Sequence, residues 1–241
     1  AFAGETSPGQ AQVGSLIWRM EQGYTTATTI NTTVDMTISG LVARVSVRQE
    51  FRNEGSEWVE GLYVFPLPDE AAVDRMRLHF GERFIEGDIQ EKDHAKKTYE
   101  KAKQAGKKAS LVEQQRTNLF TTSVANVAPG ERVVVEIEYL ESIRYEDGRF
   151  SIRFPMTLTP RYIAGQPLPD KVGNGWSADT NRVPDASLIT PPMFTNSRGH
   201  KITLTATVNA GMPLETVTSR YHPVNVAEQN GSYRVTLDGS N

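Results

Sequence analysis

The sequence predicts an all-β protein, an antiparallel β-sandwich with one surface α-helix, and three observations lead there. Threonine and valine number 23 and 21 among 241 residues, and β-branched side chains suit a pleated surface better than a helix. Apolar and polar residues alternate along several short runs, which is the period of a half-buried strand. Turn signals built on Gly, Asn and Pro separate those runs at close spacing, as consecutive hairpins require.

In chain order, residues 1–22 read as an N-terminal arm, 23–160 as the main domain, and 161–241 as a proline-rich strap with additional strands packing on or beside it. Ile30, Val34, Met36 and Ile38 fall on one strand face, opposite Asn31, Thr33, Asp35 and Thr37. Gly40 breaks that run. Leu41, Ala43, Val45, Val47 and Phe51 then face inward against Arg44, Ser46, Arg48 and Glu50. A turn at Asn53-Glu54-Gly55-Ser56 leads into an apolar strand over 58–65, which Pro66 and Pro68 terminate because proline gives the ladder no donor. Met76, Leu78 and Phe80 alternate up to a tight turn at Gly81-Glu82.

Residues 91–105 change period. Ala95, Tyr99 and Ala102 recur at helical spacing, and Gly106 is placed to end the helix in a left-handed cap. The apolar stripe is narrow, so this helix belongs on the surface of the sheet. Pro129-Gly130 separates a strand over 119–127 from Val133, Val135, Ile137 and Tyr139. Asp147-Gly148 returns the chain into Phe150, Ile152 and Phe154. The stretch 162–198 holds five prolines and reads as an ordered strap anchored by Ile163, Trp176 and Phe194. Ile202, Leu204, Ala206 and Val208 resume strand character, and Asn230-Gly231 closes a last hairpin into Tyr233, Val235 and Leu237. The expected inward set is Val45, Val47, Phe51, Tyr63, Phe65, Phe120, Val135, Ile137 and Phe154.

Composition narrows the function. A net charge of −3 and a pI near 5.9 give no overall attraction to nucleic acid or an anionic membrane. The longest apolar run is Leu62-Tyr63-Val64-Phe65, far below the ~20 residues a spanning helix needs. Neither nucleic acid nor membrane insertion is expected. With no cysteine, thiol nucleophiles, Cys-ligated zinc and iron–sulfur clusters are excluded together. Ala1-Phe2-Ala3 has the small-x-small form of a processed export signal, and a secreted or cell-surface location is the expectation.

No catalytic constellation emerges, and no cofactor or metal site is expected. His79, His94, His200 and His222 show no zinc-motif spacing and read as isolated histidines. Asp35, Thr37 and Ser39 have the spacing of an adhesion-type metal motif, but they are the polar side of one alternating strand and spread along ~13 Å of it. Gly173-Asn174-Gly175-Trp176-Ser177-Ala178 matches a dinucleotide fingerprint in letters only, lacking a strand before and a helix after it. Glu136 and Glu138 share an outward strand face, which needs polar residues in any case. The one charge anomaly is local: seven lysines lie between Lys92 and Lys108 against Asp93 and Glu100. Lys96, Lys97, Lys101 and Lys103, with Trp176, form either a surface for an anionic glycan or a solvated helix face.

Several blocks appear in the order of a known family. They are Tyr63-Val64-Phe65-Pro66-Leu67-Pro68 with Ala71-Ala72-Val73; Glu91-Lys92 with Ala95, Tyr99, Ala102 and Gly106; Leu111-Val112-Glu113-Gln114; Asn118-Leu119-Phe120; and Val124-Ala125-Asn126-Val127-Ala128-Pro129-Gly130. Over roughly residues 38–162 the chain resembles the VIT domain shared by vault-associated proteins and inter-alpha-trypsin inhibitor heavy chains. The wider chain is similar to the N-terminal part of bacterial sortase-target-like surface proteins, ending before their von Willebrand A domain. The resemblance implies a non-catalytic extracellular interaction or scaffold module, with a von Willebrand A domain of the same full-length protein and an unidentified protein or glycan as partners. A glycan-binding adhesion module is the alternative, and a hydrolase with an unrecognised site the remote one. The motif residues are read as structural: Phe65 and Leu67 seal a buried strand, Gly106 caps the helix, Pro129-Gly130 sets a turn and Asn118 bonds loop backbone.

Overall fold

The computed structural model describes residues 11–12, 14–20, 23–68, 71–81, 83–86, 109–116, 119–154, 157–158, 164–169, 177–184, 186–189 and 202–238. Along them run β1 (Ala11–Gln12), β2 (Ser15–Met20), β3 (Gly23–Thr26), β4 (Thr28–Ser39), β5 (Val42–Arg52), β6 (Val59–Pro66), β7 (Ala72–Phe80) and β8 (Arg83–Glu86). There follow β9 (Ala109–Arg116), β10 (Leu119–Val127), β11 (Arg132–Ser142), β12 (Arg144–Glu146), β13 (Arg149–Ser151) and β14 (Thr157–Leu158). A four-residue helix α1 (Ala186–Ile189) precedes β15 (Ile202–Asn209), β16 (Val224–Gln229) and β17 (Ser232–Leu237).

Two main sheets result. The larger has the strand order β16-β17-β15-β4-β5-β11-β7-β8, and the smaller β3-β2-β6-β10-β9. Two short ribbons, β1-β14 and β12-β13, stand apart from them. Along β5 and β11, and outside the irregularities of β4 and β7, every second residue points to the same side. There Val34, Met36, Val45, Val47, Phe51, Leu78, Val135 and Ile137 meet Leu16, Trp18, Tyr63, Phe65, Phe120 and Val124 of the smaller sheet in one apolar cluster. The all-β fold is as the sequence predicts. Of the expected inward set, Phe154 alone is only half-buried; the others are buried.

The departures have local causes. Ile30 is 40% exposed because the β4–β5 register shifts between Thr29 and Asn31, which makes it the extra residue of a bulge. Thr32 takes the next inward position and is fully buried. Leu41 lies in the β4–β5 turn and Trp58 just ahead of β6, and both are exposed. Residues 15–20, expected in an arm, instead form β2, which pairs with β6 at Leu16↔Tyr63. Leu16, Ile17 and Trp18 are all buried. Burial on both sheet faces leaves no alternation in the sequence to read.

The larger sheet is mixed, because β15 runs parallel to β4 over Ile202↔Thr32 to Asn209↔Ser39. A parallel neighbour needs a long crossover, and residues 40–201 supply it. The strap is closed on itself where it is described. Thr180 Oγ1 donates to the Ala164 carbonyl at 2.6 Å, and Leu168 N to Asp179 O at 2.7 Å. The buried Asp179 carboxylate accepts from both Ser187 N (2.6 Å) and Ser187 Oγ (2.8 Å), holding the start of α1. The helix expected over 91–105 and the expected anchors Ile163, Trp176 and Phe194 lie outside the described residues.

Candidate functional site

The motif residues are placed by packing. Phe65 has no exposed surface; its ring stacks with Tyr63 at 6.3 Å between centroids and meets Tyr139 at a tilt of 52° and 6.1 Å. Pro66 ends β6 opposite Leu119, Leu67 is buried and Pro68 half-buried. Phe120 is buried opposite Phe65 on the neighbouring strand. Glu113 and Gln114 lie on β9, paired with Thr121 and Phe120. Pro129 and Gly130 form an exposed turn, Gly130 at φ 72°. Glu91, Lys92, Tyr99, Gly106 and Asn118 lie outside the described residues, as do Lys96, Lys97, Lys101, Lys103 and Trp176.

Two polar features inside the sandwich escaped the sequence reading. Asn53, buried at the end of β5, ties two loops together. Its Nδ2 donates to Glu57 O (2.9 Å) and Ala128 O (3.0 Å), its Oδ1 accepts from Gly55 N, and its carbonyl accepts from Gly130 N. The second is a bridge between the sheets. Gln49 Nε2 donates to Gly14 O (3.1 Å) and Thr32 Oγ1 (3.0 Å), while the Tyr63 hydroxyl donates to Gln49 Oε1 at 2.6 Å. The signal for Gln49 was present: it shares the parity of Val45, Val47 and Phe51, so the same alternation that buries them buries it. A buried amide must be bonded, and here both ends are.

Tyr139 and Glu141 differ. They sit two residues apart on the inner side of β11, beside Val45 and Ala43 of β5. Both are buried, and among the described residues neither Tyr139 Oη nor Glu141 Oε1 has a hydrogen-bond partner. Burial pushes the Glu141 carboxyl up from 4.5 to about 7, and burial also raises the Tyr139 phenol. The folded chain therefore keeps a proton that the unfolded chain releases above about pH 4.5. Stability from this group is complete below that pH, falls as pH rises towards 7 and is flat above it. Replacing Glu141 by Gln should raise the urea midpoint at pH 8 more than at pH 5. An equal change at both pH values would show that the carboxyl titrates normally.

The outer face of the larger sheet is a ladder of cross-strand charges. Arg48 pairs with Glu136 at 3.1 Å, Arg132 with Glu50 at 3.0 Å, and Arg44 with Asp74 and Glu138. His79, expected to be isolated, contacts Glu136 Oε2 at 3.0 Å and packs beside Phe84. The arginines are about half exposed or more and their partners partly so, and surface pairs of this kind are worth ~0–1 kcal/mol each. Asp35, Thr37 and Ser39 occupy successive exposed positions on the same face. Among the described residues, no three His, Cys, Asp or Glu side chains converge as a metal site would need. No described helix is long and apolar enough to cross a membrane.

Residues 30–139 match the family model of the vault protein inter-alpha-trypsin domain. That segment runs from within β4 to within β11 and so contributes strands to both main sheets. The chain is 33% identical over 119 residues to protein mono-ADP-ribosyltransferase PARP4 of Mus musculus, covering 49% of this chain and 6% of that one. It is 30% identical over 132 residues to von Willebrand factor A domain-containing protein 5A of Rattus norvegicus, covering 54% and 16%. It is 38% identical over 88 residues to inter-alpha-trypsin inhibitor heavy chain H3 of Pongo abelii, covering 36% and 10%. In each case the chain spans a small fraction of the relative's length.

Proposed function

We infer, from the match of residues 30–139 to the vault protein inter-alpha-trypsin domain, that this chain is a non-catalytic protein-interaction module of a larger protein. One observation carries the reading. Five of the motif residues are taken up by packing or by a turn: Phe65, Leu67 and Phe120 in the core, Pro129 and Gly130 in the loop that Asn53 ties down. These residues build a scaffold, which supports the non-catalytic reading. In this reading the module is displayed in a secreted or cell-surface protein, and its partners are a von Willebrand A domain of the same full-length protein and a further protein ligand. The relative named for a von Willebrand A domain supports the first partner.

The tests separate these parts. A panel of esterase, peptidase and glycosidase substrates should give no turnover with the purified chain. Turnover that survives repurification and vanishes on mutation of a single carboxylate would overturn the non-catalytic reading. Protease shaving of intact source cells should release peptides of this chain, whereas recovery solely after lysis would refute surface display. Binding on a glycan array that is lost when Lys96, Lys97, Lys101 and Lys103 are changed to Ala would replace the protein-interaction reading with a glycan-binding one.

A further inference from the structure

The larger sheet ends in two unlike edges. At one, β8 is four residues long, and its Glu86 is held by Arg75 (3.5 Å) and Arg77 (3.3 Å). Charge and shortness of this kind keep a sheet edge from pairing with another chain. At the other, among the described residues, β16 pairs with β17 alone. Its sequence Val-Asn-Val-Ala-Glu-Gln carries one charge, with no lysine and no proline inside the strand, and residues 225–229 are exposed whichever face they occupy. That edge is undefended.

The direction of its backbone groups follows from one hydrogen bond. Asp238 N donates to Pro223 O at 3.0 Å, so 223 and 238 form a hydrogen-bonded pair of the β16–β17 ladder. Such pairs alternate with non-bonded ones. Asn225, Ala227 and Gln229 therefore turn their N–H and C=O groups towards β17. Val224, Val226 and Glu228 turn theirs to the open side. The two-residue turn at Asn230-Gly231, with φ 53° and 75°, closes on the bonded pair Gln229↔Ser232 and agrees with this phase.

We propose that the open edge of β16 is a self-association surface, where a second copy of this chain pairs antiparallel about a two-fold axis at Val226 and joins the two eight-stranded sheets edge to edge. A two-fold antiparallel pair can form hydrogen bonds only if residues with outward groups stand opposite one another, and an axis through Asn225 or Ala227 pairs only two of the three within the strand. Centring on Val226 pairs all three: Val226 with the partner's Val226, and Val224 with the partner's Glu228. Centring on Glu228 would set two glutamates directly opposite one another, their Cα atoms ~5.5 Å apart. Centring on Val224 would leave Glu228 beyond the pairing. In the Val226 register the two Glu228 side chains stand four residues apart, ~13 Å, which exceeds the screening length of ~8 Å at physiological salt.

Both copies then keep their apolar inner side on the same side of the joined sheet. Tyr221, 79% exposed just ahead of β16, falls in register beside the partner's Gly231. A six-residue edge is smaller than a standard interface of ~1,600 Å², so the dimer is weak and forms at high concentration.

Sedimentation equilibrium of the 241-residue chain, from low micromolar to near-millimolar concentration, should show a reversible monomer–dimer equilibrium. Val226→Pro removes an N–H that the monomer does not use and should weaken the dimer about tenfold or more. Val226→Lys should do the same by setting two ammonium groups side by side. Amide hydrogen exchange gives a readout that does not depend on the variants. On raising concentration, protection should appear at Val224, Val226 and Glu228, while Asn225, Ala227 and Gln229 are protected throughout. A monomer at every concentration, a dimer unaffected by both substitutions, or protection gained without this alternation would each overturn the proposal.

Discussion

Replacing Gly14 by alanine is expected to destabilise the fold by about 3–5 kcal/mol, from roughly 1 kcal/mol or more of left-handed strain and 1–3 kcal/mol for each buried hydrogen bond disrupted. Gly14 sits at φ 55°, and a Cβ there would lie 1.8 Å from Gln49 Oε1 and 2.6 Å from the Tyr63 hydroxyl. The intruding carbon displaces the side chain that joins the Gly14 carbonyl to Thr32 and Tyr63. Gly40 is the matched control. It has nearly the same φ of 57°, but nothing lies within 4 Å of the added carbon, so Gly40→Ala carries the backbone strain alone, ~1–2 kcal/mol. Urea denaturation of the two variants isolates the bridge between the sheets. Equal losses would show that Gln49 yields freely and the bridge contributes little.

Phe65→Ala should cost ~3–5 kcal/mol, the range for removing a fully buried aromatic ring. The ring lies between Tyr63 and Tyr139, two of the largest fully buried side chains. Both stand on sheet backbone that cannot close far around the void. A substantial fraction of the ~5–15 kcal/mol that stabilises an ordinary domain is at stake. Calorimetry or urea denaturation reads the loss directly, and a change within ~0.5 kcal/mol would be that of a surface substitution. Phe65→Leu, which retains most of the volume, should lose far less.

What could be read in advance follows the physics of alternation. Wherever one strand face meets the core and the other meets water, as along Val45, Val47 and Phe51 or Val133 to Tyr139, the period of two is written into the residue types. The hairpins at Asp147-Gly148 and Asn230-Gly231 were equally plain, because their left-handed residues leave little choice beyond Asn, Asp and Gly. β2 was hidden for the opposite reason. With Leu16 and Trp18 buried against the core and Ile17 buried on the other face, no polar phase remains to mark a strand. The bulge at Ile30 was also unreadable, since an extra residue is visible only against its pairing partner. At the candidate site, the burial of Phe65, Leu67 and Phe120 follows from their apolar type and their position in or just after a strand. The buried polar partners were not legible, because Gln49, Asn53 and Glu141 are residue types that sequence patterns assign to the surface by default.

The parallel pairing of β15 with β4 also has a consequence for synthesis on the ribosome. Val34 and its neighbour Leu204 are separated by about 170 residues, and a chain grows at ~5–20 residues per second. For roughly 10–30 s after β4 emerges, the side of that strand destined for β15 has no partner, while β5 can close on its other side almost at once. A ribosome stalled before residue 202 should therefore display a nascent chain that binds holdase chaperones, and release of that chaperone should coincide with the emergence of β15.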